Sequence, residues 1–427
     1  MGPYMNEKIS GFRTGYACLN LDAPLKYRTC RQSNLTLEKW NELIAWNLNT
    51  LKAMILYNLE MGISVYRISS DLIPFGSAEI IDYDWAIDFR EEFNELKELL
   101  STGIRFSMHP GQYTVLNSPN SQVVANSLRD LEYHVKVMEL LGASRVNKIV
   151  LHIGGIYGDK ETASQRFIQA ANALDPAIRR HLIIENDERL YNIQDVLHIS
   201  RETGLPAIFD NLHHEINPPA EDRPMADWIR EAGETWQAAD GRPIIHYSQQ
   251  SSAKRPGAHS VSIDTGRFLE FLTSLNHPLD IMLEVKDKNR SAEKLRMVLD
   301  RDMRLAERLW ARYKYSILAK SQPLYREIRM LLKDKAAADL TTLALLFEQS
   351  TALPYSAGDA VNAAEHVWGY FKKSANEKEK HRFIALLKEG LPDEASEVEA
   401  RAYLKKLLKK YPNQYLEESY YFNETPV

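Results

Sequence analysis

Residues 182–189 read LIIENDER. Three aliphatic residues run together with no polar residue between them, and the run stops abruptly at Glu185, Asn186 and Asp187. A strand with one wet face alternates polar and apolar residues, whereas a strand covered on both faces is near-continuously apolar. LIIE is therefore expected to be a buried parallel strand with a carboxylate at its C-terminal end. The same grammar recurs on both sides. Upstream stand FRTGY (12–16), ISVYRIS (63–69), IRFSMH (104–109) and KIVLHI (148–153); downstream follow AIFD (207–210), PIIHYS (243–248) and IMLEV (281–285).

The intervals are long enough for helices and have their spacing. Behind Asn34 or Thr36 as a cap, Leu43, Ile44, Leu48, Leu51 and Ile55 recur every three or four residues; Val124, Leu128, Leu131, Val135 and Met138 do so later. Eight strand-then-helix units predict an α/β chain with a (β/α)8 TIM barrel. An open doubly wound sheet fits the alternation, but no glycine-rich phosphate loop follows the first strand. Past about residue 290 the strands cease. The remainder is rich in Ala, Leu, Lys and Glu, with breaks at Gln322-Pro323, Leu353-Pro354 and Tyr411-Pro412. We expect a barrel domain over 1–300 and an all-helical domain over 301–427.

Composition narrows the class. Of 427 residues, 44% are apolar and 26% charged, as in an ordinary soluble chain with a sizeable core. No apolar run approaches the ~18 residues of a membrane span, and no signal pattern opens the chain. Two cysteines, Cys18 and Cys30, are too few for a disulfide framework, which points to a reducing, cytoplasmic setting. The net charge of −5 does not favour a polyanion, so binding one requires a local basic patch or bound cations.

The strand ends carry the chemistry. The third to eighth runs finish at His109, His152, Glu185, Asp210, His246 and Glu284; His213 follows the sixth and His259 lies in the loop after the seventh. One such residue alone is most simply a hydrogen-bonded or helix-capping group. Six consecutive strands ending this way place imidazoles and carboxylates together at the barrel face where active sites form. Their joint desolvation calls for metal cations. Imidazole with carboxylate and no thiolate suits Mn²⁺, Zn²⁺ or Fe²⁺, and Glu185 on the middle strand is the candidate bridge. Clustered cations serve in-line displacement at phosphorus. His134, His181, His198 and His277 fit structural roles, and His214 fits support of a ligand.

The segments TGYACLN (14–20), YRISSDLIPF (66–75), SMHPGQYT (107–114), HIGGIYGDK (152–160), ENDER (185–189), FDNLHH (209–214), RPGAH (255–259) and EVKDK (284–288) resemble the UV damage endonuclease family in order and spacing. The resemblance covers roughly Phe12–Asn289. It implies a barrel related to endonuclease IV, a cluster of two or three divalent cations (Mn ahead of Zn), and nicking of damaged double-stranded DNA immediately 5′ to the lesion by a monomer. By motif, His109, His152 and Glu185 would hold one metal, Glu185, Asp210, His246 and Glu284 a second, and His213 with His259 a third. Glu185, His109, His246 and Glu284 are the expected catalytic set. Gln112 and Tyr113 would probe the duplex at the lesion, Tyr16 and Asn20 would line the DNA groove, and Lys160, Lys254, Arg255 and Lys286 would contact phosphate.

One position departs from the family, where lysine commonly stands two residues before the seventh-strand histidine: here it is Ile244. Competing readings are an abasic-site endonuclease, a sugar isomerase or epimerase on the same barrel, and a catalytically silent damage-binding protein. The later segments RYKYSILAKSQPLYREI (312–328), NAAEHVWGYFKK (362–373) and LKKLLKKYPNQYLEESYYF (404–422) resemble a widespread helical domain of unknown function found in YbgA-like bacterial proteins. Its cluster Lys405, Lys406, Lys409 and Lys410 reads as a solvated helix face or as an auxiliary nucleic-acid contact.

Overall fold

A computed structural model of the chain describes Ile9 and residues 11–423, apart from 79 and 276. Eight parallel strands close into one barrel in sequence order: β1 (Arg13–Ala17), β2 (Val65–Arg67), β3 (Arg105–Met108), β4 (Lys148–His152), β5 (Leu182–Glu185), β6 (Ala207–Asp210), β7 (Ile244–Tyr247) and β8 (Asp280–Leu283). Closure comes from β8 pairing with β1, Arg13 opposite Asp280 and Tyr16 opposite Leu283.

Each strand is followed by a principal helix: α1 (Leu37–Glu60), α2 (Arg90–Ser101), α3 (Ser121–Leu140), α4 (Lys160–Asn172), α5 (Ile193–Thr203), α6 (Met225–Glu234), α7 (Thr265–Ser274) and α8 (Asn289–Leu299). Thr36, not Asn34, caps α1, its side chain accepting from the Lys39 amide at 3.1 Å. Leu43, Ile44, Leu48, Leu51 and Ile55 are all buried, which accounts for the spacing seen in the sequence.

Side chains alternate along a strand, so residues two apart share a face. Ala17, Val65, Val150, Ile183, Ile208, Ile244 and Met282 pack together as a buried apolar layer inside the barrel. Two residues further along the same strands come Arg67, His152, Glu185, Asp210, His246 and Glu284. Two residues earlier stand Lys148, Arg242 and Asp280. The interior is thus a polar base, an apolar middle and a polar mouth. β1 contributes its smallest side chains inward: a Cβ on Gly15 would sit 2.0 Å from the Val65 carbonyl oxygen, so only glycine lets β1 and β2 approach this closely.

The chain divides into two compact units, Ile9–Ile263 with Phe271–Glu293, and Asp264–Glu270 with the chain from Lys294 onward. The second includes α9 (Met303–Leu318), α10 (Gln322–Leu331), α11 (Leu340–Thr351), α12 (Ala357–Trp368), α13 (Glu377–Leu387) and α14 (Glu394–Lys410). Tyr315, Ala360, Ala364, Val367, Phe383, Leu404, Leu407 and Tyr421 belong to one of its buried clusters. No described helix is long and apolar enough to cross a membrane.

Candidate metal centre at the barrel mouth

Glu185 is buried at the end of β5, and its two carboxylate oxygens face different neighbours. Oε2 lies 3.1 Å from His109 Nε2 and 3.4 Å from His152 Nε2. Oε1 lies 2.5 Å from His246 Nδ1. That nitrogen is also 3.3 Å from Glu284 Oε1, and His259 Nε2 is 3.9 Å from Glu284 Oε2. Two sets have ligand atoms all within 4.8 Å of one another: His109, His152 and Glu185, and Glu185, Asp210 and His213. The first is the trio expected for one metal. In the second, Asp210 and Glu185 are joined by His213, which the resemblance places on a third metal.

Local structure explains that grouping. Asp210 ends β6 and caps the short helix Asn211–Ile216, accepting from the His213 amide at 2.8 Å. The helical turn brings the His213 ring back over the strand ends, where Nδ1 meets the Asn186 carbonyl oxygen at 2.9 Å. Asn186 in turn ties β5 to β6, donating to the Asp210 carbonyl at 3.1 Å and accepting from the Asp210 amide at 2.9 Å.

The electrostatics are unbalanced. Burial pushes the Asp210 carboxyl up to about 6, against the pull of His213. His213 rises to about 9, because Asp210, Glu185 and Glu284 outweigh the effect of burial. Burial opposes ionisation of Glu185, yet the imidazoles of His246 and His152 hold it well below the usual carboxylate range. Burial lowers both His152 and His259. Three carboxylates converge here, and the one guanidinium among these contacts is Arg67, whose Nη1 meets Glu284 Oε1 at 2.6 Å. Asp210 Oδ2 and His152 Nδ1 are buried without a hydrogen-bond partner. A carboxylate and imidazole donor set with a charge deficit and orphaned buried atoms fits divalent cations.

Arg67 escaped the sequence reading, which searched strand ends for metal ligands only. Its signal was present: a guanidinium two residues beyond Val65, on the same face of the strand. Ile244 takes the place directly below His246 on β7 and is part of the apolar layer, so it offers the cluster no donor.

The β3–α3 loop presents Gln112 and Tyr113 to solvent, and Tyr113 is 68% exposed. The Tyr113 ring folds back over Gly111, where a Cβ would come within 2.4 Å of it. Beneath, the loop is anchored. Ser70 Oγ donates to the His109 carbonyl at 2.6 Å, His134 Nε2 lies 2.9 Å from Ser70 Oγ, and Thr114 Oγ1 donates to Asp130 Oδ2 at 2.6 Å. His134 is therefore structural, as is His181, bonded to the Asn147 carbonyl.

Two expected groove residues are corrected. Tyr16 and Asn20 are both 0% exposed. Since Gly15 and Ala17 face inward, Tyr16 points outward to α1, donating to Asn58 Oδ1 at 2.7 Å and accepting from Asn20 Nδ2 at 2.8 Å. Asn20 Oδ1 folds the loop by accepting from the amides of Asp22 and Ala23. Neither can touch DNA in this arrangement. His214 packs near Phe209 and Trp228. Of the cations, Lys160 is paired with Asp195 at 2.5 Å. Lys254, Arg255 and Lys286 are exposed, and the Lys254 ammonium beside Lys286 lowers its pKa, so the two lysines share one place.

The chain is similar to known proteins over most of its length. Residues 12–308 match the family described as UV-endonuclease UvdE, and residues 314–426 match a protein family of unknown function, DUF1722. The UV DNA damage endonuclease of Clostridium perfringens (strain 13 / Type A) is 33% identical over 97% of this chain and 100% of its own length. That of Bacillus velezensis is 31% identical over 58% of this chain and 78% of its own. The crystal structure of SacUVDE superposes with a TM-score of 0.64 at 36% identity, covering 68% of this chain and 98% of that one. With the barrel matched across its length and a relative matched end to end, the chain belongs to the UV DNA damage endonuclease family and is a DNA repair endonuclease.

Proposed function

We propose that the barrel mouth hydrolyses the phosphodiester immediately 5′ to a UV photoproduct or other distorting lesion in duplex DNA, with two or three divalent cations, manganese ahead of zinc. The observation that carries this is the shared carboxylate: Glu185 belongs to both sets of converging ligand atoms and contacts His246 as well. His109, His152, Glu185, Asp210 and His213 would hold the cations, which would supply Lewis acidity towards the water and the departing oxygen. Water adds to phosphorus and the P–O3′ bond breaks, leaving a 3′-hydroxyl and a 5′-phosphate.

The chain's own groups set the stage. Glu185 holds His109, His152 and His246 at fixed separations from a strand end rather than a mobile loop, so little reorganisation accompanies reaction. Arg67 fixes one oxygen of Glu284. Gln112 and Tyr113 project where a weakly stacked step would open, since extruding a damaged base costs less than the few kcal/mol of an intact one. Lys254, Lys286 and Arg255 would hold backbone phosphate, which needs charge more than sequence reading.

The test is incubation of UV-irradiated and untreated plasmid with the protein and Mn²⁺, then with chelator. Nicks confined to irradiated plasmid and abolished by chelation are expected. Equal nicking of both plasmids, or of neither, would sink the reading.

A further inference from the structure

The helical unit carries a feature that the barrel's chemistry leaves unused. Between α13 and α14 lies a cleft of about 730 Å³. Lys378 and Arg382 of α13 and Lys406, Lys409 and Lys410 of α14 line it, against the one carboxylate of Glu379. Two of the five cations are answered: Arg382 meets Glu399 at 2.6 Å and Lys410 meets Glu379 at 2.6 Å. Lys378, Lys406 and Lys409 are exposed and have no ion pair or hydrogen bond among the described residues.

The run KKLLKK (405–410) is thereby sorted. Lys405 does not line the cleft; its Nζ donates to the Phe422 carbonyl at 2.8 Å and to Asn423 Oδ1 at 3.2 Å. The other three lysines line it. Lys406 with Lys409, and Lys406 with Lys410, stand at the spacings where like charges work against a helix. Packing does not call for them, because the buried residues of this stretch are Leu404, Leu407 and Leu408. A solvated face would spread its charges, whereas here cations from two helices converge on one concavity, which concentrates their field. They do so in a chain whose net charge is −5.

We propose that this cleft binds the phosphodiester backbone of DNA, giving the helical unit a DNA contact made by residues other than those of the barrel mouth. The choice of DNA among polyanions rests on the reading of the barrel proposed above. Lysines act as point charges without the fork that reads base edges, so the contact positions DNA without selecting sequence.

The experiment uses the full chain carrying Lys378→Glu, Lys406→Glu and Lys409→Glu together, with Lys333→Glu, Lys372→Glu and Lys373→Glu, none of which lines the cleft, as a charge-matched control. Affinity for an undamaged DNA duplex is measured across salt concentrations. Each lost phosphate contact removes about 0.9 from the slope of log affinity against log salt. The cleft variant should lose about two to three in slope and at least about tenfold in affinity at 0.1 M salt. The control should change far less. An unchanged slope, or equal losses in both variants, overturns the proposal. Loss confined to an RNA duplex overturns it in favour of RNA. Should the glutamates impair folding, the three Lys→Gln changes carry the same slope expectation. Wild-type nicking of irradiated plasmid is scored in the same preparations: its absence would sink the barrel reading and leave the cleft result standing.

Discussion

Both ends of the barrel bury carboxylates, and they treat them oppositely. At the base, Asp280 receives Arg13 at 2.5 Å and Arg105 at 2.8 Å, while Asp240 receives Lys148 at 2.6 Å and Arg145 at 2.8 Å. Arg105 spends its remaining donors on the carbonyls of Val146, Asp240 and Arg242. At the mouth, three carboxylates share Arg67 and a set of imidazoles, and buried atoms of Asp210 and His152 go unpartnered. The apolar layer through Val150, Ile183 and Ile244 separates the two. Burial of charge therefore does not mark the site; imbalance does. A cleft of about 490 Å³ also opens at the base, but Arg13, Arg105 and Arg242 in its wall are already engaged. Unspent hydrogen-bonding capacity is the better guide than cavity size.

The sharpest way to break this comparison is at the base. Lys148 and Asp240 are each 1% exposed at the side chain, so Asp240→Asn strands a buried ammonium. We expect a loss of about 3–5 kcal/mol in unfolding free energy at neutral pH. Burial alone would raise the Asp240 carboxyl, but Arg145 and Lys148 hold it below the ordinary range. A depressed folded-state pKa stabilises above the unfolded value of about 3.9 and ceases to do so as pH falls through the folded one. The gap between wild type and mutant should thus be full near neutrality and close in acid below about pH 4. Urea unfolding across that range measures it, and a neutral-pH loss under about 1 kcal/mol would show the base pairing to be dispensable.

The mouth should respond differently. Glu185→Gln removes a charge partner of His246 and His152 but also relieves Asp210, whose carboxyl Glu185 pushes up, so the stability loss at neutral pH should be smaller than at the base. Nicking should fall more than about 100-fold, beyond what losing an outer partner of a metal ligand costs. Bound metal should fall as well, while affinity for undamaged duplex stays near wild type. Wild-type nicking with unchanged metal content would mean that Glu185 bridges nothing.

How far the sequence disclosed all this follows from periodicity. The strands were readable because they are mostly apolar runs in a regular strand-then-helix alternation, and the ligands because the third to eighth runs end on a residue that no apolar layer would choose. The failures have the same origin. Tyr16 sits one residue from inward-facing Ala17, so counting by twos sends its ring to α1; reading it by motif sent it to the DNA. Arg67 obeys the count but was passed over because guanidinium is not a metal ligand. The pairing of Asp210 with His213 needed the three-dimensional turn at Asn211–Ile216. In the helical unit, spacing alone could not separate Lys405, tied to Phe422, from Lys406 and Lys409 in the cleft.

The smallest expected effect tests whether the mouth extends beyond its charged cluster to the loop above it. Gln112 and Tyr113 are exposed, while the backbone beneath them is anchored by Ser70 and Thr114. Replacing both with alanine should therefore leave bound metal and thermal stability unchanged. Binding should weaken by the stacking that the ring supplies, about 1–3 kcal/mol. The loss should depend on the lesion: a cyclobutane dimer leaves much unstacking for the protein to drive, whereas an abasic site already presents the gap. Affinity and nicking are to be compared on matched duplexes bearing a dimer, an abasic site or no damage. Equal losses on all three would reduce the pair to a backbone contact, joining the loop to the lysines rather than to the damage-reading surface. No loss on any would leave His109 as the loop's one functional residue, with an ordinary anchored turn behind it.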